Sequence, residues 1–263
     1  ILLSGALILD ESASMTMLSL AKMVPTAISS LMGTVVGVFN PQITIAYAEG
    51  DKEKLVDIIK SCNRILIFIM SIPIAFLTAY GRDFYALWQP TKDPDMLQRL
   101  SLLAVGVLYV SMSIQVLYHV FIITKKVKWN SLVVLGSGIC SSLLSLILLS
   151  KTDLGVACFP LSSMITGVLR NMIFTPIYAA RCLEIRWNRF YSDIFLGFAS
   201  IGTITVLGLL SRMIVPIHSW IILLLTGVVM GPLALLVNFF VILRKQERKM
   251  VIGMVRSRLK GEA

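Results

Sequence analysis

One charged side chain lies deep inside a long apolar run of this sequence. Arg170 is followed by Asn171 and lies 15 residues beyond Gly155 and 11 before Arg181. At about 1.5 Å per residue, a helix over this run places Arg170 near the middle of a bilayer. An arginine there costs about 2.5–3.5 kcal/mol, so it must face protein or a wet cavity. Its guanidinium either hydrogen-bonds neighbouring carbonyls or Asn171, or binds two phosphate oxygens of a diphosphate at once.

Three further polar residues in or beside the apolar runs are candidates for lining the same cavity. Lys22 precedes a run over 23–46, where its amine either reaches the lipid headgroups or lines a cavity mouth. Gln115 and His119 are four residues apart, which places them on one face of a helix. There they either line the cavity or hydrogen-bond a neighbouring helix. The candidate substrate-binding residues are Arg170, Lys22, Gln115, His119 and Asn171.

The sequence shows no clear catalytic or metal-binding pattern. Its four cysteines have no CxxC spacing and its two histidines fall on different segments, so we expect no metal and no other cofactor. Asp93-Pro94-Asp95 is a DxD pattern of the kind that binds a metal-diphosphate in glycosyltransferases. Asp93 before Pro94 is also an ordinary helix start, with the aspartate as N-cap and the proline in the first turn. We favour the cap and expect no enzymatic activity.

Composition places these residues in a membrane. Of 263 residues, 57% are hydrophobic and 14% charged, against roughly 45–50% and about 25% in soluble domains. Runs of about 20 apolar residues cross a bilayer as helices, and these runs are too long and uniform for barrel strands. The predicted fold is an all-α, polytopic bundle of transmembrane helices forming a single unit over 1–263. We predict one partial span at 1–9 and seven full spans at about 23–46, 65–81, 100–124, 131–150, 155–180, 191–211 and 217–243.

Basic residues indicate the orientation of the bundle, not a nucleic-acid surface. The net charge is +10, and Lys and Arg lie almost entirely between the apolar runs and in the tail over 244–263. Seventeen of them fall on one side of the predicted spans and six on the other. The richer side is cytoplasmic by the positive-inside rule. We therefore predict a multi-pass protein of the cell (inner) membrane, with a basic cytoplasmic C-terminal tail and no nucleic-acid partner.

One stretch resembles a known family. Ser19-Leu20-Ala21-Lys22-Met23 leads into a span that contains Asn40-Pro41-Gln42 and ends in Tyr47-Ala48-Glu49-Gly50-Asp51-Lys52-Glu53-Lys54-Leu55. This pattern resembles the eighth helix and following cytoplasmic loop of Wzx-type polysaccharide (O-antigen) flippases of the multidrug/oligosaccharidyl-lipid/polysaccharide (MOP) exporter superfamily. Leu87-Trp88 after the next helix and Asp10 before this one are also similar to that family.

The resemblance implies a fold with fourteen spans in two lobes, of which this chain is a C-terminal fragment comprising one lobe plus two extra helices. An N-terminal lobe of the same protein would then be its partner, together with membrane lipids and the polysaccharide assembly machinery. It also implies a function: moving an undecaprenyl-diphosphate-linked oligosaccharide from the cytoplasmic to the periplasmic or outer leaflet during synthesis of surface polysaccharide such as lipopolysaccharide.

Two other functions are compatible with the composition. One is another exporter of the superfamily, with a drug or lipid cargo; the other is an intramembrane glycosyltransferase or polymerase. A cation exporter needs carboxylates inside the membrane, which attract the cargo and exchange it for protons. We expect none within the full spans, with Asp10 at a helix edge as the nearest case, and this favours an anionic cargo.

Overall fold

The structure, a computed structural model, describes residues 12–243 and Arg248, and its regular elements over that range are all helical. The all-α class is therefore confirmed. Nine α-helices follow one another: α1 Ser12–Ala48, α2 Lys52–Trp88, α3 Pro94–Ser111, α4 Leu117–Ile123, α5 Val127–Lys151, α6 Cys158–Leu169, α7 Thr175–Cys182, α8 Tyr191–Ile214 and α9 Trp220–Val241. A 3₁₀ turn, Gly155–Ala157, precedes α6, and a π-helical segment, Arg170–Phe174, joins α6 to α7.

Six helical segments of the described range are long and apolar enough to cross a membrane: Ser14–Ala48, Lys52–Trp88, Val127–Lys151, Gly155–Cys182, Tyr191–Ile214 and Trp220–Val241. The predicted count of seven full spans is one too high. No single long helix covers the predicted span over 100–124, because a turn at 112–116 divides it into α3 and the short α4. The predicted partial span over 1–9 and Asp10 lie outside the described residues, as does the tail over 244–263 apart from Arg248.

The first two helices are longer than the apolar runs that predicted them. Each has 37 residues, and α1 continues through Pro41 to Ala48. The chain reverses just beyond, where Gly50 has φ +79°, a left-handed conformation that glycine adopts without strain. Asp51 then caps α2, since its carboxylate accepts a hydrogen bond from the Lys54 backbone N–H at 3.1 Å.

Helix α2 lies at the centre of the bundle. It packs against α1, α3, α8 and α9, with its most extensive contact along α8. Its first turns are amphipathic, and their apolar residues Leu55 and Ile59 are buried in the protein core. Surface amphipathicity and burial against a neighbouring helix give the same sequence pattern, and here α8 covers the apolar face.

The two edges of the bundle consist of different helices. Helix α9 packs on α2 and α8, and these three helices form the α2–α8–α9 group. At the other edge α5 packs mainly on α6, which in turn packs on α3; α3 to α7 form the α3–α7 group. Many apolar side chains of α5 and α9 point outward, among them Leu135 and Ile221, which are 63% and 70% exposed. Such faces are suited to lipid or to another membrane segment.

Ion pairs join loops at one end of the bundle. Lys52, at the start of α2, pairs with Glu184 beyond α7, and Glu53 pairs with Arg189 at 2.9 Å. The hydrogen bond from Lys52 holds the pKa of Glu184 below its usual range. These contacts show that the α1–α2 turn and the loop after α7 lie on the same side of the bundle.

Helix α3 begins at the opposite end with the predicted cap. The Asp93 carboxylate accepts the Asp95 backbone N–H at 2.9 Å, and Pro94 occupies the first turn, so the cap interpretation is confirmed. Asp95 receives two hydrogen bonds from Arg82, at 2.7 and 3.2 Å, and the guanidinium holds the pKa of this carboxyl below its usual range. Both carboxylates of the DxD pattern thus have structural partners.

Candidate functional site

Arg170 begins the π-helical segment inside the membrane helix Gly155–Cys182. The backbone N–H of Thr175 donates to the Arg170 carbonyl, five residues earlier. Pro176 comes next and has no N–H, so the carbonyl of Met172 loses its intrahelical donor. The hydroxyl of Tyr191 on α8 donates to that carbonyl at 2.8 Å instead. Single π turns of this kind are frequent at functional sites.

The guanidinium of Arg170 contacts only neutral groups. Its Nη1 donates to the Ser137 hydroxyl on α5 at 3.2 Å, and its Nε donates to the Asn171 side-chain oxygen at 3.3 Å. The side chain is half-buried, and no carboxylate of residues 12–243 pairs with it. The positive charge at mid-span therefore has no counter-charge in this part of the protein.

Asn171 is held in place by the two halves of the interrupted span. Its side chain is 1% exposed, and its Nδ2 donates to the Ser111 hydroxyl at the end of α3 at 2.8 Å. Its Oδ1 accepts from the Tyr118 hydroxyl in α4, also at 2.8 Å. The break between α3 and α4 thus supplies both groups that orient Asn171, which in turn hydrogen-bonds Arg170.

Lys22 lies in a separate cavity on the same side of α6. Its half-buried side chain lines a cavity of about 450 Å³ between α1, α3 and α6, together with Ser29, Pro160 and Ser163. Ser163 precedes Arg170 by seven residues, so the two lie on one helix face at a rise of about 10 Å. The structure shows no direct bond between Lys22 and Arg170.

Gln115 and His119 are not brought to Arg170. Gln115 lies in the turn at 112–116, where the N–H of His119 bonds the Val116 carbonyl three residues back, so the expected α-helical register between the two is interrupted. Nε2 of His119 lies 2.9 Å from the Thr44 hydroxyl on α1. Because that hydroxyl donates to the Asn40 carbonyl, the imidazole N–H is the donor in this interhelical bond.

Two buried carboxylates lie in the membrane helices: Asp193 falls within the predicted span 191–211 and contradicts the expectation that the full spans contain none, and Asp83 lies two residues beyond the predicted span 65–81 but within the longer observed helix α2. Asp193, near the start of α8, is 1% exposed; it accepts from Asn63 Nδ2 at 3.4 Å and interacts electrostatically with Arg64. Asp83, near the end of α2, lies with its Oδ2 2.7 Å from Nε of Arg212. Each lies close to the end of an apolar run, and each is compensated by an arginine across the α2–α8 contact.

Sequence reasoning found the arginine but not the groups that hold it. Ser111, Tyr118 and Ser137 are three of many hydroxyl residues in apolar runs, and each is unremarkable in its own segment. Asn171 was found because it is adjacent to Arg170. Only the packing of α3, α4 and α5 around the π-helical segment distinguishes the other three.

Comparison with known proteins yields one informative relative. The chain is 27% identical over 255 residues to the uncharacterized membrane protein EpsK of Bacillus subtilis (strain 168), covering 97% of this chain and 50% of that protein. The chain thus spans about half the length of this curated relative. No family model matches the chain, and no solved structure matches it. The six apolar helices and this relative identify a membrane protein with several transmembrane helices.

Proposed function

We propose that the chain forms one lobe of a transporter that flips a polyprenyl-diphosphate-linked oligosaccharide across the cell membrane during synthesis of surface polysaccharide. No covalent bond changes in this step, so the chain acts as a carrier and not as an enzyme. A second lobe, N-terminal to this one, completes the cavity, and the C-terminus faces the cytoplasm. The similarity to half of a larger membrane protein is compatible with a two-lobe arrangement.

The observation that carries this proposal is the uncompensated charge of Arg170 at mid-span. A sugar-diphosphate headgroup cannot enter hydrocarbon, where each unpaired polar group costs several kcal/mol. An arginine whose partners are a hydroxyl and an amide oxygen can exchange them for two phosphate oxygens, and a bidentate pair of that kind is among the strongest hydrogen-bonded contacts.

The state of the buried carboxylates supports an anionic cargo over a cationic one. A cation exporter needs an acid that is free to bind the cargo and to exchange protons. Asp83 is bound to Arg212, and Asp193 lies between Asn63 and Arg64. Arg170, by contrast, carries a positive charge that no carboxylate of residues 12–243 neutralises.

The test is substitution of Arg170 in the full-length protein in its host, with surface polysaccharide and membrane accumulation measured together. Arg170→Gln and Arg170→Ala should abolish export while the protein still accumulates, because the charge is removed. Arg170→Lys keeps the charge but loses the bidentate fork, so it should retain partial export. Arg186→Gln, an exposed arginine in the loop after α7, is the matched control and should export normally. Normal export by a well-expressed Arg170→Ala protein would overturn the proposal.

A further inference from the structure

A second cationic cavity lies at the end of the α3–α7 group, between the start of α5 and the end of α7. Its volume is about 560 Å³, and we call it the basic pocket. It is lined by three cations and three aromatic rings, namely Lys126, Lys128, Arg181, Trp129, Phe174 and Tyr178. No residue of the proposed Arg170 site belongs to it.

The basic pocket and Arg170 share two helices. Arg170 begins the π-helical segment that Phe174 ends, and Tyr178 and Arg181 follow Phe174 by four and seven residues on one face of the α-helix. Arg181 is therefore about 16 Å from Arg170 along the helix. On the opposite side, α5 supplies Trp129 to the basic pocket and, further along, Ser137 to Arg170. The same pair of helices thus extends from the basic pocket to the middle of the span.

The three cations of the basic pocket have no counter-charge of their own. Neither Lys126, Lys128 nor Arg181 forms an ion pair with any residue that the structure describes. The carboxylate of Glu184 interacts electrostatically with Lys126, but it is already paired with Lys52. Three like charges gathered around one cavity repel each other, so an anion bound among them would be favoured.

The backbone at both edges of the basic pocket is held in an unfavourable conformation. Lys125 and Glu184 have φ of 56° and 57°, and they are the two non-glycine residues with positive φ in the described chain. Each ends a helix, because the next N–H bonds a carbonyl five residues earlier, Lys126 to Phe121 and Ile185 to Ala180. A non-glycine residue in this conformation costs of order 1–2 kcal/mol, and such costs cluster at functional sites.

A hydrogen bond keeps the two edges together. The hydroxyl of Tyr178 donates to the Lys126 carbonyl at 2.9 Å, which joins α7 to the residue that precedes α5. Tyr178 also stacks on Phe174, with ring centroids 5.0 Å apart. These two contacts fix the positions of the Phe174 and Tyr178 rings on one side of the cavity. Lys126 and Lys128 remain exposed.

We propose that the basic pocket is the loading site where the phosphate headgroup of a lipid substrate first binds before it moves to Arg170. This rests on the proposed function. Phosphate oxygens would contact the two lysines and Arg181. The apolar chain would stay in the bilayer along α5, whose Leu132 and Leu135 are 47% and 63% exposed. This lipid-facing side and the aromatic rings suit an amphiphile better than a soluble anion.

Binding to the purified full-length protein in lipid nanodiscs tests this proposal. The probes are a polyprenyl diphosphate, the matching uncharged polyprenol, and inorganic diphosphate. The Lys126→Gln/Lys128→Gln/Arg181→Gln variant should bind polyprenyl diphosphate at least tenfold more weakly. A control variant, Lys92→Gln/Arg99→Gln/Lys151→Gln, removes three charges from the opposite end of the bundle and should bind it normally. Far-ultraviolet circular dichroism checks that both variants are folded.

Probe binding and export, measured in the same variants, distinguish binding at the basic pocket from transport across the membrane. Arg170→Gln should still bind the probe at the basic pocket while export is lost, whereas the triple variant should lose both. Unchanged affinity in a folded triple variant would overturn the loading site and leave the Arg170 result standing. An equal loss in the control variant, or inorganic diphosphate binding as tightly as the lipid, would also overturn it. Equal binding of the uncharged polyprenol would show that the phosphate is not what is recognised.

Discussion

Arginine has opposite surroundings in the two groups of helices. In the α2–α8–α9 group, Arg212 is bound by Asp83 through Nε at 2.7 Å and through Nη2 at 3.0 Å. In the α3–α7 group, the hydrogen-bond partners of the Arg170 guanidinium within residues 12–243 are Ser137 and Asn171. A charge bound by its counter-charge holds two helices together, while a charge held by neutral groups is free to bind an anion. This difference supports the proposal that the α2–α8–α9 group is the structural support and that the α3–α7 group contains the site.

Buried amides show the same division. Asn238 on α9 is 0% exposed and donates to the Phe68 carbonyl and the Ser71 hydroxyl on α2, at 3.0 and 2.7 Å. It also accepts from Ser200 on α8 at 2.6 Å, so it joins all three helices of the group. Asn171 makes similar bonds, but one of them orients the arginine of the proposed site.

The largest expected effect is loss of the Asp83–Arg212 pair. Asp83→Leu leaves Arg212 partly buried without a carboxylate, which should lower the free energy of unfolding by about 3 kcal/mol. Arg170→Leu should cost less, about 1 kcal/mol, because it removes two hydrogen bonds to neutral groups and no ion pair. Unfolding in detergent, followed by tryptophan fluorescence, measures both. The Asp83→Leu/Arg212→Met double variant should recover most of the loss. Equal losses in the two single variants would remove the distinction between the groups.

A smaller effect is expected from Asn238→Leu, which removes three interhelical hydrogen bonds. Such bonds contribute about 0.6 kcal/mol each on average within a membrane, so the loss should be about 2 kcal/mol. The matched control is Asn40→Leu, because the Asn40 side-chain oxygen is buried with no hydrogen-bond partner. That variant should be neutral or slightly more stable in the same unfolding assay. A greater loss for Asn40→Leu than for Asn238→Leu would contradict the structure.

Tyr191→Phe tests the hydrogen bond that joins α8 to the π-helical segment, and therefore a contact between the two groups of helices. It removes the hydroxyl that satisfies the Met172 carbonyl, and the expected loss of stability is about 1 kcal/mol. Because the π-helical segment positions Arg170, export should also fall, though less than in Arg170→Ala. Tyr47→Phe, at an exposed tyrosine on α1, is the control for both readouts. A loss of stability with full export would show that the segment's geometry has no bearing on transport.

The smallest expected effect concerns Glu184, whose pKa is lowered by the hydrogen bond from Lys52. A carboxyl with a lowered pKa stabilises the folded protein above its unfolded value, about 4.3, and this contribution is lost as pH falls through the folded pKa. Wild type should therefore have a slightly higher Tm than Glu184→Gln at pH 7, and the difference should shrink as the pH falls below about 4.3 and disappear once the pH is below the folded pKa. A difference that grows on acidification would exclude this ion pair as its source.

The linear sequence determined the class of this protein and predicted the depth of its central charge. Run length and composition predict membrane helices because a bilayer requires about 20 apolar residues for each crossing. The Asp93 cap was predicted from the sequence because it depends on neighbours a few residues away. The position of Arg170 near mid-span follows from counting residues at about 1.5 Å each.

The tertiary structure decided which charges are neutralised and which are left free. Asp83 and Arg212 are 129 residues apart in sequence, and Ser137 and Arg170 are 33 apart. Such pairs depend on how the helices rotate and pack, and no local pattern encodes that rotation. The break at 112–116 and the π-helical segment were missed for a related reason: both depart from regular periodicity and are stabilised by side chains of other helices. An arginine and an asparagine in apolar runs are visible in the sequence, but their partners exist only once the helices have packed.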